Sequence, residues 1–388
     1  MPESSNEEYR KINSIIERDS TDSTYKYALL RGTIEICEEY QHLGKEEEDK
    51  IWFPLGLLIE KYILYYYPII ANEKYLPQMS GETSEPNNHL RMAFRPLLTE
   101  IVEYYKNNGK GFSDFYQEYE RGTISKDITD TFLALCRKLR RTIVDMPMHH
   151  LGYSQAKEPY SVYTYRKNEG RVASSETIDR DFLVQNFGEF SISTELNTVF
   201  RYFGGFISGE NTLLLKWATL SSKKSNGLIS VAEVMEVLQE APETERDTQE
   251  AQRFYKHLWD IKEDVVCVWT GHKINSLAGC NIDHVLPFMI WKNNELWNLM
   301  PALPDVNGKK SDNIPSGKLL EARKEAILHY WDLMLMWKDQ QNPFEKEIRI
   351  SLTGKPFDPA LWKQHAFEAL KTKCKDLIEI RGFTEWDL

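Results

Sequence analysis

Apolar positions in the first third of the chain recur at three- and four-residue steps. Leu29, Leu30, Thr33, Ile34 and Cys37 form one stripe, and Leu57, Leu58, Lys61, Tyr62 and Tyr65 form another that Pro68 should stop. This spacing predicts a mostly helical lobe over residues 21–150, preceded by a solvated tail, residues 1–20, that has no apolar period. The pattern then changes. Tyr160-Ser161-Val162-Tyr163-Thr164-Tyr165 alternates like a strand and Asn168-Glu169-Gly170 reads as a turn, so a hairpin or loop should open a second lobe over residues 151–260. Helical spacing returns over residues 182–223, and residues 240–250, with Pro242 and six charges, read as an acidic linker. At the far end Leu320, Ile327, Tyr330, Trp331, Met334 and Trp337 predict one helix. Asp358-Pro359 supplies a cap and a first-turn proline for a second, within a helical part spanning residues 326–388.

Residues 261–325 follow a different pattern. Val265-Val266-Cys267-Val268-Trp269-Thr270 is β-branched and aromatic, residues 275–279 are a turn cluster, and Cys280-Asn281-Ile282-Asp283-His284-Val285-Leu286-Pro287 is a second strand-like run. These predict a hairpin with Asp283-His284 near its exit. Trp297-Asn298-Leu299-Met300-Pro301 then leads into a short helical segment at residues 302–310. The expected fold class is mainly α with a small α+β insertion flanked by helical N- and C-terminal parts.

Composition narrows the function. The chain has 388 residues, 41% of them hydrophobic, enough for two or three domains with cores. A net charge of −11 argues against an indiscriminate nucleic-acid coat, yet the acidity is regional. Residues 1–60 hold 14 acidic and 7 basic side chains, a balance of −7, whereas residues 261–324 hold 7 acidic and 8 basic, a balance of +1. The most apolar stretch, residues 52–71, is interrupted by Glu60 and Lys61, so neither a spanning helix nor a membrane partner is expected. The first ten residues are polar and acidic, unlike a secretory signal. Five cysteines without a C-x-x-C pair argue against a disulfide framework and fit a cytoplasmic setting.

Ile282-Asp283-His284-Val285-Leu286-Pro287, then Asn298-Leu299, then Asn307-Gly308-Lys309-Lys310-Ser311-Asp312-Asn313-Ile314-Pro315 resemble the HNH nucleases of ββα-metal type. The closing run resembles the HNH domain of the RNA-guided type II CRISPR effector nuclease. The resemblance covers residues 265–318 and implies a metal-dependent endonuclease that hydrolyses DNA phosphodiester bonds, in a setting of microbial defence or restriction. By the same resemblance His284 is the general base, Asp283 and Asn307 hold the metal, Asn298 braces the loop that orients the histidine, and Lys310, with Lys309 beside it, contacts phosphate. Oxygen ligands suit Mg²⁺, with Mn²⁺ as the alternative. The family's paired C-x-x-C motifs are missing, which argues against a structural zinc.

One catalytic centre cuts one strand, so a homodimer is expected for double-strand cleavage. Arg137-Lys138-Leu139-Arg140-Arg141 puts cations on one helical turn, making Arg140 and Arg141 candidates for contacts with the DNA backbone. Three alternatives stay open: a nuclease effector gated by a protein or ligand that the helical part senses, an RNA-cleaving enzyme, and a silent DNA-binding scaffold. Residues 107–111 read as a turn rather than a phosphate loop, and His149-His150 as a surface pair rather than metal ligands.

Overall fold

Two helices, α1 (Tyr25–Glu39) and α2 (Leu55–Ala71), bury residues on nearly every side and so lie within a core, α2 because it carries few polar positions and α1 although it carries several charged ones. The protein, seen in a computed structural model, is described over residues 22–85, 90–151, 162–168, 177–209, 213–337 and 341–388. It forms two compact units, Met1–Glu243 and Thr244–Leu388. The expected tail at residues 1–20 lies outside the described residues, as do Tyr160 and Ser161 of the alternating run and Glu169-Gly170 of the expected turn.

Between α1 and α2 lie β1 (Lys45–Glu47) and β2 (Lys50–Pro54); α3 (Arg95–Asn107), α4 (Phe112–Arg121) and α5 (Lys126–Ile143) follow. Next come β3 (Thr164–Arg166), α6 (Arg180–Asn186), β4 (Glu189–Ser193), α7 (Thr194–Ser208), α8 (Leu215–Lys224) and α9 (Val231–Gln239). The four strands make one antiparallel sheet in the order β1-β2-β4-β3, with Ile51 opposite Ile192 and Phe53 opposite Phe190. Residues on the two sides of position 150 therefore share one sheet and one core. Pro68 does not end α2, which runs one more turn to Ala71 because a proline near the C-terminal end removes a single donor. Gly56 lets α2 approach α6, since a Cβ there would stand 2.0 Å from the Leu183 carbonyl oxygen.

Charges inside this unit are paired. The Glu60 carboxylate takes Arg180 at 2.9 Å and the Tyr119 hydroxyl at 3.0 Å, and Glu82 takes Arg95 at 2.7 Å. Lys61 bridges Glu35 and Glu39, each at 2.8 Å. Such pairs offset the cost of burying charge and make each partner sensitive to loss of the other.

The second unit begins with an extended stretch before α10 (Gln249–Asp260). The first strand-like run, residues 265–270, is a tight turn instead: Val266 bridges Lys273, and Gly271, with φ +76°, donates to the Cys267 carbonyl. The true partner of β5 (Asn281–His284) is β6 (Leu299–Ala302), lying beyond the short α11 (Phe288–Trp291). Pro301 masks β6 in the sequence, yet its carbonyl accepts from Val268 N at 2.8 Å, so the missing N–H costs the ladder little. Then come α12 (Pro304–Lys310), β7 (Ile314–Pro315), α13 (Gly317–Met336), α14 (Gln341–Glu347), α15 (Trp362–Glu379) and β8 (Glu385–Trp386), which pairs in parallel with β7. The last long helix starts at Trp362, later than Asp358-Pro359 suggests, because Asp358 instead accepts from Ala360 N in a local turn.

Tryptophans and tyrosines anchor β6. Tyr255 donates to the Leu299 carbonyl at 2.9 Å and Trp331 to the Trp297 carbonyl at 2.9 Å. The chain as a whole is mainly α with small α+β elements. No helix among the described residues is long and apolar enough to cross a membrane.

One carboxyl in this unit is poorly placed. Burial, and then the charge of neighbouring Glu295, hold Glu347 well above the usual carboxylate range, although Leu296 N donates to it. A raised folded pKa contributes stability below the ordinary carboxyl range and loses it as pH rises through the folded value. Glu347→Gln is therefore expected to stabilise the chain at pH 8 by on the order of 1 kcal/mol and to leave it unchanged at pH 4. Calorimetric melts at the two pH values check this, and equal shifts at both would contradict it.

Candidate active site

Strand β5 presents Asp283 and His284 to different surroundings, as alternation along a strand requires. Its register with β6 runs unbroken from Asn281 opposite Ala302 to His284 opposite Leu299, so no bulge brings the two side chains together. On one side the Asp283 carboxylate is 3% exposed and both of its oxygens are engaged. Oδ2 accepts from Trp269 Nε1 at 2.6 Å and Oδ1 from Lys310 Nζ at 3.3 Å. Burial pushes this carboxyl above its usual range, while Lys310 and Trp269 pull it back.

On the other side, His284 is 2% exposed and its ring lies 5.4 Å from that of Phe288. Its Nε2 stands 3.4 Å from Asn294 Oδ1. The orientation of that amide follows from its other partners: Oδ1 accepts from Asp247 N at 3.0 Å and Nδ2 donates to the Glu245 carbonyl at 2.8 Å. An oxygen acceptor at Nε2 assigns the ring proton there and leaves the Nδ1 lone pair bare. Nδ1 is buried and has no hydrogen-bond partner. Burial first, then the charges of Arg246 and Lys310, push the imidazole down to about 4, so it is neutral at pH 7.

Asn298 is fully buried and belongs to the loop after β5. Its Oδ1 accepts from Leu286 N at 2.8 Å, its Nδ2 donates to the Leu286 carbonyl at 3.0 Å, and its own carbonyl accepts from Val285 N. This pair of hydrogen bonds to Leu286 fixes the backbone two residues after His284. Asn307 is half-buried on α12, one turn before Lys310 and on the same helix face, which faces β5.

Lys310, expected to contact phosphate, has 0% exposure. Its Nζ donates to Asp283 Oδ1 and, at 2.7 Å, to the His284 carbonyl, and it lies over the Trp269 ring. A lysine committed to a buried carboxylate and a carbonyl cannot also reach solvent, so its place is that of a counter-ion. Lys309 is exposed on the same helix. Arg140 and Arg141 lie on α5 of the first unit, Arg141 exposed and 3.9 Å from Asp145, and the remaining candidates are grouped in the second unit.

Among the described residues no cluster of three or more His, Cys, Asp or Glu side chains is placed to hold a metal ion. Two donors are offered to a hard divalent ion that keeps much of its water, the Asp283 carboxylate, which already accepts from Trp269 and Lys310, and the amide oxygen of Asn307. Trp269, Asn294 and Arg246 are site residues that the sequence pattern does not single out. Trp269 looks like strand filler, and the other two lie in polar stretches with no motif.

Residues 267–316 match the sequence profile described as HNH endonuclease. Residues 5–238 match that of a domain of unknown function, DUF8808. No match was found among curated proteins or among solved structures. The HNH segment begins two residues before Trp269 and ends just past β7, so it encloses the β5, β6 and α12 elements of the site.

Proposed function

We propose, for a chain that belongs to the DUF8808 family and carries an HNH endonuclease domain, that this domain hydrolyses DNA phosphodiester bonds with a hard divalent ion, Mg²⁺ or Mn²⁺, in microbial defence or restriction. The observation that carries the reading is the bare, neutral Nδ1 of His284, whose ring is held in place through Nε2. A buried imidazole nitrogen without a partner loses hydrogen-bond energy in the resting protein. That loss is recovered when a water proton is presented to it.

The steps assign themselves to the chain's own groups. His284 Nδ1 takes a proton from the attacking water as the new O–P bond forms, and the P–O3′ bond breaks to leave a 5′-phosphate and a 3′-hydroxyl protonated from solvent. Asn298 keeps the backbone beyond His284 rigid, so that the imidazole is aimed without reorganisation. Asp283 and Asn307 would hold the ion, which when bound supplies Lewis-acid stabilisation of the negative charge that develops on the phosphate. Lys310 and Trp269 fix the Asp283 carboxylate in one orientation.

Plasmid cleavage in Mg²⁺ tests the reading, with supercoiled, nicked and linear products resolved and a matched RNA run in parallel. Wild type is expected to cut DNA, and Asn307→Ala to need more Mg²⁺ and to lose about 10²-fold at saturation. Nicks preceding linear product fit one centre working alone, and direct linearisation fits a homodimer. Selective cutting of the RNA would replace the DNA assignment.

A second reading has its own support. Asp283 at 3% and His284 at 2% exposure are closed to a phosphodiester in this conformation, which suits an effector opened by a protein or ligand that the DUF8808 region senses. Vigorous cutting by the purified chain alone would argue against such a gate.

A further inference from the structure

Of the two lysines expected at phosphate, Lys310 is buried and engaged by Asp283 and the His284 carbonyl, which leaves Lys309, exposed on α12. A second positive charge comes from elsewhere in the unit. Arg246, twenty-one residues before the matched HNH segment begins at residue 267, extends its guanidinium to β5, where Nη2 donates to the Ile282 carbonyl at 3.2 Å.

Three features mark this as a built arrangement. The Asn294 side chain grips the backbone on both sides of Arg246, donating to the Glu245 carbonyl and accepting from Asp247 N. The same amide touches His284, so one side chain ties Arg246 and the imidazole together. The Arg246 charge also lowers the pKa of both Asp283 and His284, in keeping with its anchorage on the strand that carries them. Yet Arg246 is exposed and, among the described residues, forms no ion pair. One of its five donors is bonded to the Ile282 carbonyl, and among the described residues the other four have no hydrogen-bond partner.

We propose that Arg246 is a substrate-contacting residue of the nuclease site, its guanidinium fork binding the non-bridging oxygens of the phosphate that is cut. The assignment rests on the nuclease reading above. A planar fork anchored through one nitrogen matches a phosphate with its remaining N–H groups better than a lysine could. Charge developing on the phosphate in the transition state strengthens that contact, so its value lies in catalysis as well as in binding. The extended stretch that opens the second unit thereby contributes to the chemistry of that unit.

Two measurements on the full chain test it. The first is binding of a short labelled DNA duplex in EDTA across a salt series, with wild type, Arg246→Ala, Arg246→Lys and His284→Ala. The second is single-turnover cleavage in Mg²⁺ by the same four proteins, with thermal melts confirming that all are folded. Arg246→Ala is expected to flatten the salt dependence of binding by about one phosphate contact and to slow cleavage about 100-fold. Arg246→Lys should restore the salt slope but only part of the rate. His284→Ala should bind like wild type and fail to cut. If wild type cuts, His284→Ala does not, and Arg246→Ala matches wild type in slope and rate, the inference falls and the nuclease reading stands. If Arg246→Ala flattens the slope while no protein cuts, the phosphate contact stands and the nuclease reading falls. Wild type that neither binds nor cuts overturns both.

Discussion

His284→Ala is expected to lower Mg²⁺-supported cleavage by about 10³-fold, within the range that positioned acid–base groups contribute. Among the described residues the imidazole has one long hydrogen bond, to Asn294, and its Nδ1 has none, so truncation removes a base without leaving a neighbouring polar group unpaired. Asn294 keeps its bonds to Glu245 and Asp247, and Asn298 keeps its grip on Leu286. The variant should therefore remain folded, with duplex binding intact and the chemical step lost. Single-turnover cleavage by wild type and variant at equal, saturating protein checks the expectation. Cleavage that survives the substitution undiminished would move the base to another group and sink the assignment.

Lys310→Met is expected to be the most destabilising of these substitutions, costing about 3–5 kcal/mol, because it removes one partner of a buried ion pair. Asp283, at 3% exposure, would keep Trp269 but lose the one cation paired with it among the described residues. The His284 carbonyl would lose its donor at the same time. A control separates the ion pair from the loss of packing: in Asp283→Asn with Lys310→Met no charge is stranded, so much of the stability should return while cleavage does not. Denaturation of wild type, the single variant and the double variant measures this, and a near-neutral single variant would show that the pair is not buried in solution.

The HNH segment is legible in the sequence because its chemistry is local. Asp283-His284 in an apolar run, followed by Asn298 and by Asn307 to Pro315, needs no tertiary knowledge to be seen. Its strand pairing is less legible. The β-branched run at Val265–Thr270 looks like the natural partner of β5, yet β6 takes that place with a proline in its middle, because Tyr255 and Trp331 secure it from outside the ladder. Lys310, expected to contact phosphate because it precedes a Ser-Asp pair, is instead buried against Asp283, a partner 27 residues away that spacing does not reveal. Arg246 and Asn294 are illegible from spacing, since they meet only through folding of residues 36 and 10 positions away from their partners on β5. The first unit carries the converse lesson. The helical stripes of α1 and α2 are plain, but β2 and β4 lie far apart in the sequence and are too short to register as strands.

The pairing of β7 with β8 has a consequence in time. Ile314 and Pro315 lie directly after the helix that carries Asn307 and Lys310, and their partners are Glu385 and Trp386. Trp386 in turn packs edge-on against Trp269, 5.5 Å away, and Trp269 holds the Asp283 carboxylate. A parallel pair needs a long crossover, supplied here by α13 to α15, so its closure is a late, non-local event. On a translating ribosome, residues 267–316 emerge well before Glu385 and Trp386 are made. The aromatic wall behind Asp283 therefore stays open on the nascent chain, and the nuclease site reaches its final form only once those two residues are free to close it.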